Sequence, residues 1–228
     1  MNKEVLLKKL VDLQDLKYKS FQEKLIPTID PNTIIGVRTP ELKKIAKEVY
    51  LSDYKDSFLG CLPHQYFEEN QIHSFIIALE KDYDKCIKLI NDFLPYIDNW
   101  ATCDQATPAA LKKRPDDTLK EIKKWFKEDK TYYYRYGIEQ LMSFYLNDRF
   151  KKEYLEMVAG INSEEYYVKM MQGWFFATAL AKQYDDTILY IEKGLLEKDV
   201  NNITIKKAIE SYRINDSKKE YLRKFRIR

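Results

Sequence analysis

Glycine and proline are scarce in this chain of 228 residues, with 6 Gly and 7 Pro. So few turn-formers suit a helical protein, and no segment alternates strictly between apolar and polar residues with hairpin punctuation. A Gly-rich phosphate loop and a Gly-x-Ser-x-Gly elbow are both missing. Cysteine is limited to Cys61, Cys86 and Cys103, scattered and odd in number. That excludes a disulfide framework and points to a reducing cytoplasm. The two histidines, His64 and His73, stand nine apart with no close cysteine pair, so zinc-ligand spacing is lacking and no metal site is expected. His73, among Ile72, Ile76 and Ile77, reads as a packed histidine. No apolar run approaches the roughly 20 residues that span a bilayer, so no membrane partner is expected. The start, Met1 to Leu7, turns charged again at Lys8 and Lys9 and does not read as a signal peptide.

What is present is charge and apolar side chains: 33% charged and 45% hydrophobic, with a net charge of only +3. The charge is unevenly spread. Residues 201–228 carry nine Lys/Arg against three acids, +6, which leaves −3 on residues 1–200. A basic tail on a near-neutral body fits a polyanion partner, or simply a solvated terminus.

Apolar residues recur with helical period almost throughout. Val5, Leu6, Leu10 and Leu13 form one stripe; Phe21, Leu25 and Ile26 form another. Thr39-Pro40-Glu41 predicts an N-cap, with proline at the first helical position. Further helices are predicted near 53–60, 64–81, 83–97, 99–113, 116–127, 131–146, 148–159, 164–183, 186–197, 201–213 and 217–225. The long ones begin near 64, 99, 131, 164 and 201, a period of two-helix units of the HEAT or TPR kind. The expectation is one all-α domain, 1–228: a HEAT-like α-α superhelix, a curved solenoid of antiparallel helix pairs.

Within that repeat, Arg135, Lys169 and Lys207 each fall in the early turns of a long helix, with Lys206 beside the last. A base there opposes the helix dipole by up to about 1 kcal/mol, unless a phosphate sits between it and the free N–H groups. Long basic side chains reaching solvent are the plainer explanation. Asn99-Trp100-Ala101-Thr102-Cys103-Asp104 sets an indole and a carboxylate four apart, on one helical face. Trp174 is a second indole beside polar neighbours. Each has an ordinary alternative: core packing for the tryptophans, a cap or ion pair for Asp104, and pairing with Glu139 for Arg135. Trp125 is assigned to packing.

Four motifs in order along nearly the whole chain resemble the AlkD family of DNA alkylation repair proteins, the alkylpurine DNA glycosylases built from HEAT-like repeats. Gly36-Val37-Arg38-Thr39-Pro40 resembles its Gly-x-x-Thr-Pro, Trp100 with Asp104 its Trp-x-x-x-Asp, Arg135 its arginine in the next long helix, and Gly173-Trp174 its Gly-Trp. The resemblance implies a positively charged channel that grips double-stranded DNA containing alkylated bases. It also implies cleavage of the N-glycosidic bond of cationic N3- or N7-alkylated purines without flipping the base into a pocket. Asp104 would stabilise charge developing on the deoxyribose and position a water, Trp100 and Trp174 would flank that sugar, and Arg135 would hold the adjacent phosphate. Arg38, Lys169, Lys206 and Lys207 are the further candidates for DNA contact. No metal or organic cofactor is implied, and a monomer working in the cytoplasm, at the nucleoid, is expected.

The chain departs from the family pattern in two places. The family's tyrosine in the second helix has no counterpart around Leu25, Ile26 and Pro27, and the often acidic second position of the Trp motif is Ala101. Two other readings stay open on the residues alone. One is a DNA-binding repeat protein without excision activity, and the other is a protein-binding helical scaffold with a tyrosine-lined groove.

Overall fold

The computed structural model describes residues 1–228, and every regular element in it is a helix. None of these helices is long and apolar enough to cross a membrane. The chain divides into two compact units, residues 1–118 and 119–228.

The first unit contains α1 (Lys3–Asp12), α2 (Leu16–Leu25), α3 (Thr39–Tyr50), α4 (Lys55–Gly60), α5 (Phe67–Leu79), α6 (Tyr83–Phe93) and α7 (Trp100–Cys103). Asn2, Asp15, Asp82 and Asn99 cap α1, α2, α6 and α7, each accepting from an otherwise unpaired N–H of the first turn. The core forms where α3 packs on α5: Leu42, Ile45 and Val49 meet Ile72, Phe75 and Ile76, with Leu6, Leu10 and Phe58 closing it. Thr39 is not the cap expected of it; α3 begins at Thr39 itself, and its hydroxyl lies 3.3 Å from the Tyr18 hydroxyl.

The helix predicted over 99–113 does not exist as such. It is one turn, α7, then a loop and a 3-10 segment at Ala109–Lys113. Pro108 explains the break: it offers no N–H and pushes Thr107 out of the helical region. Pro95 likewise converts the end of α6 into a 3-10 turn, Leu94–Tyr96. The helix α8 (Pro115–Trp125), predicted near 116–127, begins at Pro115, with Asp116 and Asp117 at its positive end.

The second unit holds the remaining helices, α9 (Thr131–Phe144), α10 (Lys152–Ala159), α11 (Tyr166–Lys182), α12 (Tyr184–Glu192), α13 (Lys198–Glu210) and α14 (Asp216–Arg223). The long helices α9, α11 and α13 lie side by side with α11 between its neighbours, while α10 and α12 also pack on α11 and α14 on α13. This alternation is the two-helix repeat seen in the sequence. Gly173 permits the α11–α13 approach: a Cβ there would lie 2.4 Å from Ile203 Cγ2 and 2.8 Å from Ile203 Cβ.

The basic C-terminal run is not a loose tail. Asn201 Nδ2 donates to the Phe225 carbonyl at 3.0 Å, and Asn202 exchanges hydrogen bonds with both the carbonyl and the N–H of Ile227. Lys198 Nζ adds a bond to the Arg228 carbonyl.

Candidate functional site

Trp100 and Asp104 belong to the first unit. The Asp104 N–H donates to the Trp100 carbonyl at 3.0 Å, so the acid stands one helical turn beyond the indole even though α7 has ended at Cys103. Trp100 is half-buried; its Nε1–H donates to the Leu25 carbonyl at 3.0 Å, and it packs, as Ile29 does, against the buried cluster of Ile26, Ile34 and Phe67. The segment around Leu25, where the resemblance lacks a tyrosine, therefore supports the indole with backbone and aliphatic side chains. Asp104 is half-exposed and engaged by neighbouring groups.

A buried polar lattice fixes this turn. Asn99 Oδ1 accepts from the Thr102 N–H at 2.8 Å, and Asn99 Nδ2 donates to Thr102 Oγ1 at 2.9 Å. From α5, Gln71 Nε2 donates to Thr102 Oγ1 and Ser74 Oγ to the Thr102 carbonyl, both at 2.9 Å. All four side chains are buried. Such a network specifies one geometry, because each misaligned group would forfeit a hydrogen bond in a low-dielectric interior. Sequence reasoning missed Gln71 and Ser74; the Asn-x-x-Thr spacing at 99–102 was the only local signal, and it marks a cap rather than a lattice.

Gly36 to Pro40 serves geometry. Gly36 has φ +99°, and a Cβ on it would meet Lys19 Cβ at 2.6 Å and the Asp15 carbonyl at 2.9 Å, so only glycine fits. The buried carboxylate of Glu68 accepts from the N–H groups of Ile35, Gly36 and Val37 at 2.9, 2.7 and 3.3 Å. Arg38 remains on the surface. Its Nε and Nη2 donate to Asp15 Oδ2, and its guanidinium lies over the Tyr18 ring. Hydrogen bonds to Asp15 from the Tyr18 N–H and then from Arg38 hold that carboxyl below its usual range.

His64 and His73, nine apart in sequence, are adjacent in space: Nε2 of one lies 2.9 Å from Nδ1 of the other. His73 stacks on Phe93 with ring centroids 4.0 Å apart, and His64 stacks on Phe58. Burial, then nearby Lys3, pushes His64 down to about 4, and burial, then His64, keeps His73 well below its ordinary value. The pair is neutral core, and no third acid or thiol joins it as a metal ligand.

In the second unit Arg135 is 5% exposed, and its Nη1 donates to the Tyr167 carbonyl at 3.0 Å, tying α9 to α11. Lys169 is the buried base of α11. Its Nζ meets Glu164 at 3.0 Å, Asp199 at 3.2 Å and Glu197 at 3.7 Å, and the Glu164 bond heads the causes that raise its pKa. Carboxylates of the protein, not a phosphate, answer the unfavourable dipole there. Lys207 is not in an early turn at all: α13 begins at Lys198, so Lys207 lies in its last turn, 3.2 Å from Glu210. The positions equivalent to Arg135 and Lys169 are Asn201 and Asn202, which hold the C-terminal segment. Lys206 is exposed and makes no ion pair. Trp125 is buried edge-on against Tyr136, as expected of a packing residue.

Trp174 is 47% exposed. It borders a cleft of about 480 Å³ lined from α9, α11 and α13, with Ala177, Thr178 and Ala181 along α11 and Lys182, Lys207 and Arg213 also among its lining. Nothing local in the sequence marks Lys182 and Arg213, which lie at the end of α11 and beyond the end of α13 and not in early helical turns.

The family model described as DNA alkylation repair enzyme matches residues 6–212. A comparison with curated proteins finds no match.

Proposed function

The chain belongs to the family of DNA alkylation repair enzymes, and on that premise we propose that it is a DNA glycosylase acting on cationic N3- or N7-alkylated purines in duplex DNA. A purine alkylated at either nitrogen carries a positive charge. When the C1′–N bond breaks, its electron pair returns to the ring and the base departs neutral, so the leaving group needs no acid. Positive charge then builds on the deoxyribose. Asp104 opposes that charge and orients a water, whose oxygen forms the new bond to C1′ and whose proton passes to the carboxylate or to solvent. The resemblance assigns Trp100 and Trp174 to the cationic sugar, for which an indole π face is favourable, and Arg135, whose guanidinium donates to the Tyr167 carbonyl, to the adjacent phosphate. The base stays in the duplex instead of turning into a pocket. Arg38, Lys206 and Lys207 are assigned to the DNA backbone; Lys169, already ringed by three carboxylates, is not.

The observation that supports this most is the presentation of Trp100 and Asp104. A half-buried indole and a half-exposed carboxylate share one turn, held from behind by Asn99, Thr102, Gln71 and Ser74. Packing on Ile26, Ile34 and Phe67 accounts for the indole but not for the carboxylate one turn beyond it. The test is a duplex carrying 7-methylguanine: release of the free base above the spontaneous rate is expected. Salt-sensitive duplex binding with no release would instead make the chain a DNA-binding member without excision activity.

A further inference from the structure

The cleft beside Trp174 carries more charge than the proposed chemistry uses. Three cations, Lys182, Lys207 and Arg213, face it with one carboxylate, Glu210. Glu210 is taken by Lys207 at 3.2 Å, while neither Lys182 nor Arg213 makes an ion pair. Lys182 ends α11 and Arg213 follows α13, so the two helices bring like charges to one end of the same opening. Burial, and then Arg213, pushes the Lys182 ammonium below the usual lysine value. Cations that share an opening without a counterion raise each other's energy, and an anion bound beside both lowers it.

The rest of the cleft limits what the anion belongs to. Trp174, Thr178 and Lys182 follow each other at i, i+4 and i+8 on α11, with Ala177 and Ala181 lining the cleft beside them. From the Trp174 Cα to the Lys182 Cα the helix rises about 12 Å. The opening therefore offers an aromatic surface at one end and two cations toward the other. A bare inorganic ion would leave Trp174 without a partner.

We propose that this cleft is a subsite for one phosphate of a nucleic-acid strand, held between Lys182 and Arg213 with its sugar against Trp174. The proposal rests on the functional reading only in taking Trp174 to face DNA. It adds Lys182 and Arg213 as binding residues.

The test is equilibrium binding of an undamaged duplex to the full chain across a salt series, comparing the parent with Lys182→Met, Arg213→Gln and the double variant. Each substitution removes charge and keeps an aliphatic stem. Loss of one phosphate contact makes the plot of log affinity against log salt shallower by about 0.9, and affinity in the double variant falls about tenfold at low salt. The single variants should each show most of that loss, because they share one phosphate. An unchanged slope and affinity in the double variant overturns the proposal. A second arm titrates 5′-dGMP and follows tryptophan fluorescence against Trp174→Phe. A saturable, Trp174-dependent change means that the cleft also takes a free nucleotide; no change, with the duplex effect intact, restricts it to a strand. The readout needs no base release, so a chain that excises nothing can still uphold the cleft. A chain that excises normally with an unmoved salt slope loses the cleft alone.

Discussion

Gly173→Ala should destabilise the protein even though alanine is the better helix former. In the middle of α11 the substitution gains about 0.8–1.0 kcal/mol of helix propensity. Against that, the new methyl would sit 2.4 Å from Ile203 Cγ2, 2.8 Å from Ile203 Cβ and 3.2 Å from the Thr204 nitrogen. Rotating the Ile203 side chain moves its Cγ2 but not its Cβ or the Thr204 backbone, so α13 as a whole must retreat. Overpacking of this kind costs about 1–3 kcal/mol, and with two contacts that side-chain rotation cannot relieve the upper part of that range applies. The net loss is about 1–2 kcal/mol, or roughly 3–6 °C in Tm for a chain of this size. Because Trp174 is the next residue and α13 supplies Lys207 to its cleft, duplex binding should weaken as well. The assay is thermal unfolding of Gly173→Ala, Ile203→Ala and the double variant. The double variant should recover at least about 0.5 kcal/mol relative to the sum of the singles. A Tm for Gly173→Ala at or above the parent's refutes the close-approach argument.

Three other perturbations follow from buried groups. Glu68→Gln leaves one carbonyl oxygen, with an amide NH2 turned toward N–H donors, where a carboxylate now accepts three N–H groups. Denaturant unfolding should show a loss of about 2–4 kcal/mol, and a loss under about 1 would contradict the lock on Gly36. The His64–His73 pair has folded pKa values below the unfolded one, so the unfolded state takes up protons first as pH falls. Stability should drop from about pH 6.5 down to about 4, by up to about 3 kcal/mol for His64, and the slope over that window should flatten in His64→Phe. Arg135→Gln separates two roles of one side chain. Losing the Tyr167 bond should lower Tm by about 6 °C, and a phosphate role requires base release to fall further than the fraction unfolded explains; release that merely tracks stability would confine Arg135 to the α9–α11 contact.

The spacing of the long helices was readable because it depends on apolar period and on caps, both of which are local. The predicted starts near 64, 131, 164 and 201 correspond to long helices beginning at 67, 131, 166 and 198, while the start near 99 is only the single turn α7. The 99–113 helix was over-extended because its apolar pattern outlasted the break that Pro108 imposes. The site was legible only as isolated residue types. That Lys169 would be surrounded by Glu164, Glu197 and Asp199, or that Lys182 and Arg213 would share a cleft, depends on which helices pack together, and no local pattern carries it. The His64–His73 contact was hidden for the same reason, since a loop closes it.

The central claim is that Asp104 acts on the charge that develops at the deoxyribose. The measurement is single-turnover release of 7-methylguanine from duplex DNA by Asp104→Asn beside the parent, with binding of the same duplex followed in parallel. The substitution keeps the shape and removes the charge, so release should slow about 10²-fold or more while the duplex is still bound. Equal release rates for the two proteins would contradict the account.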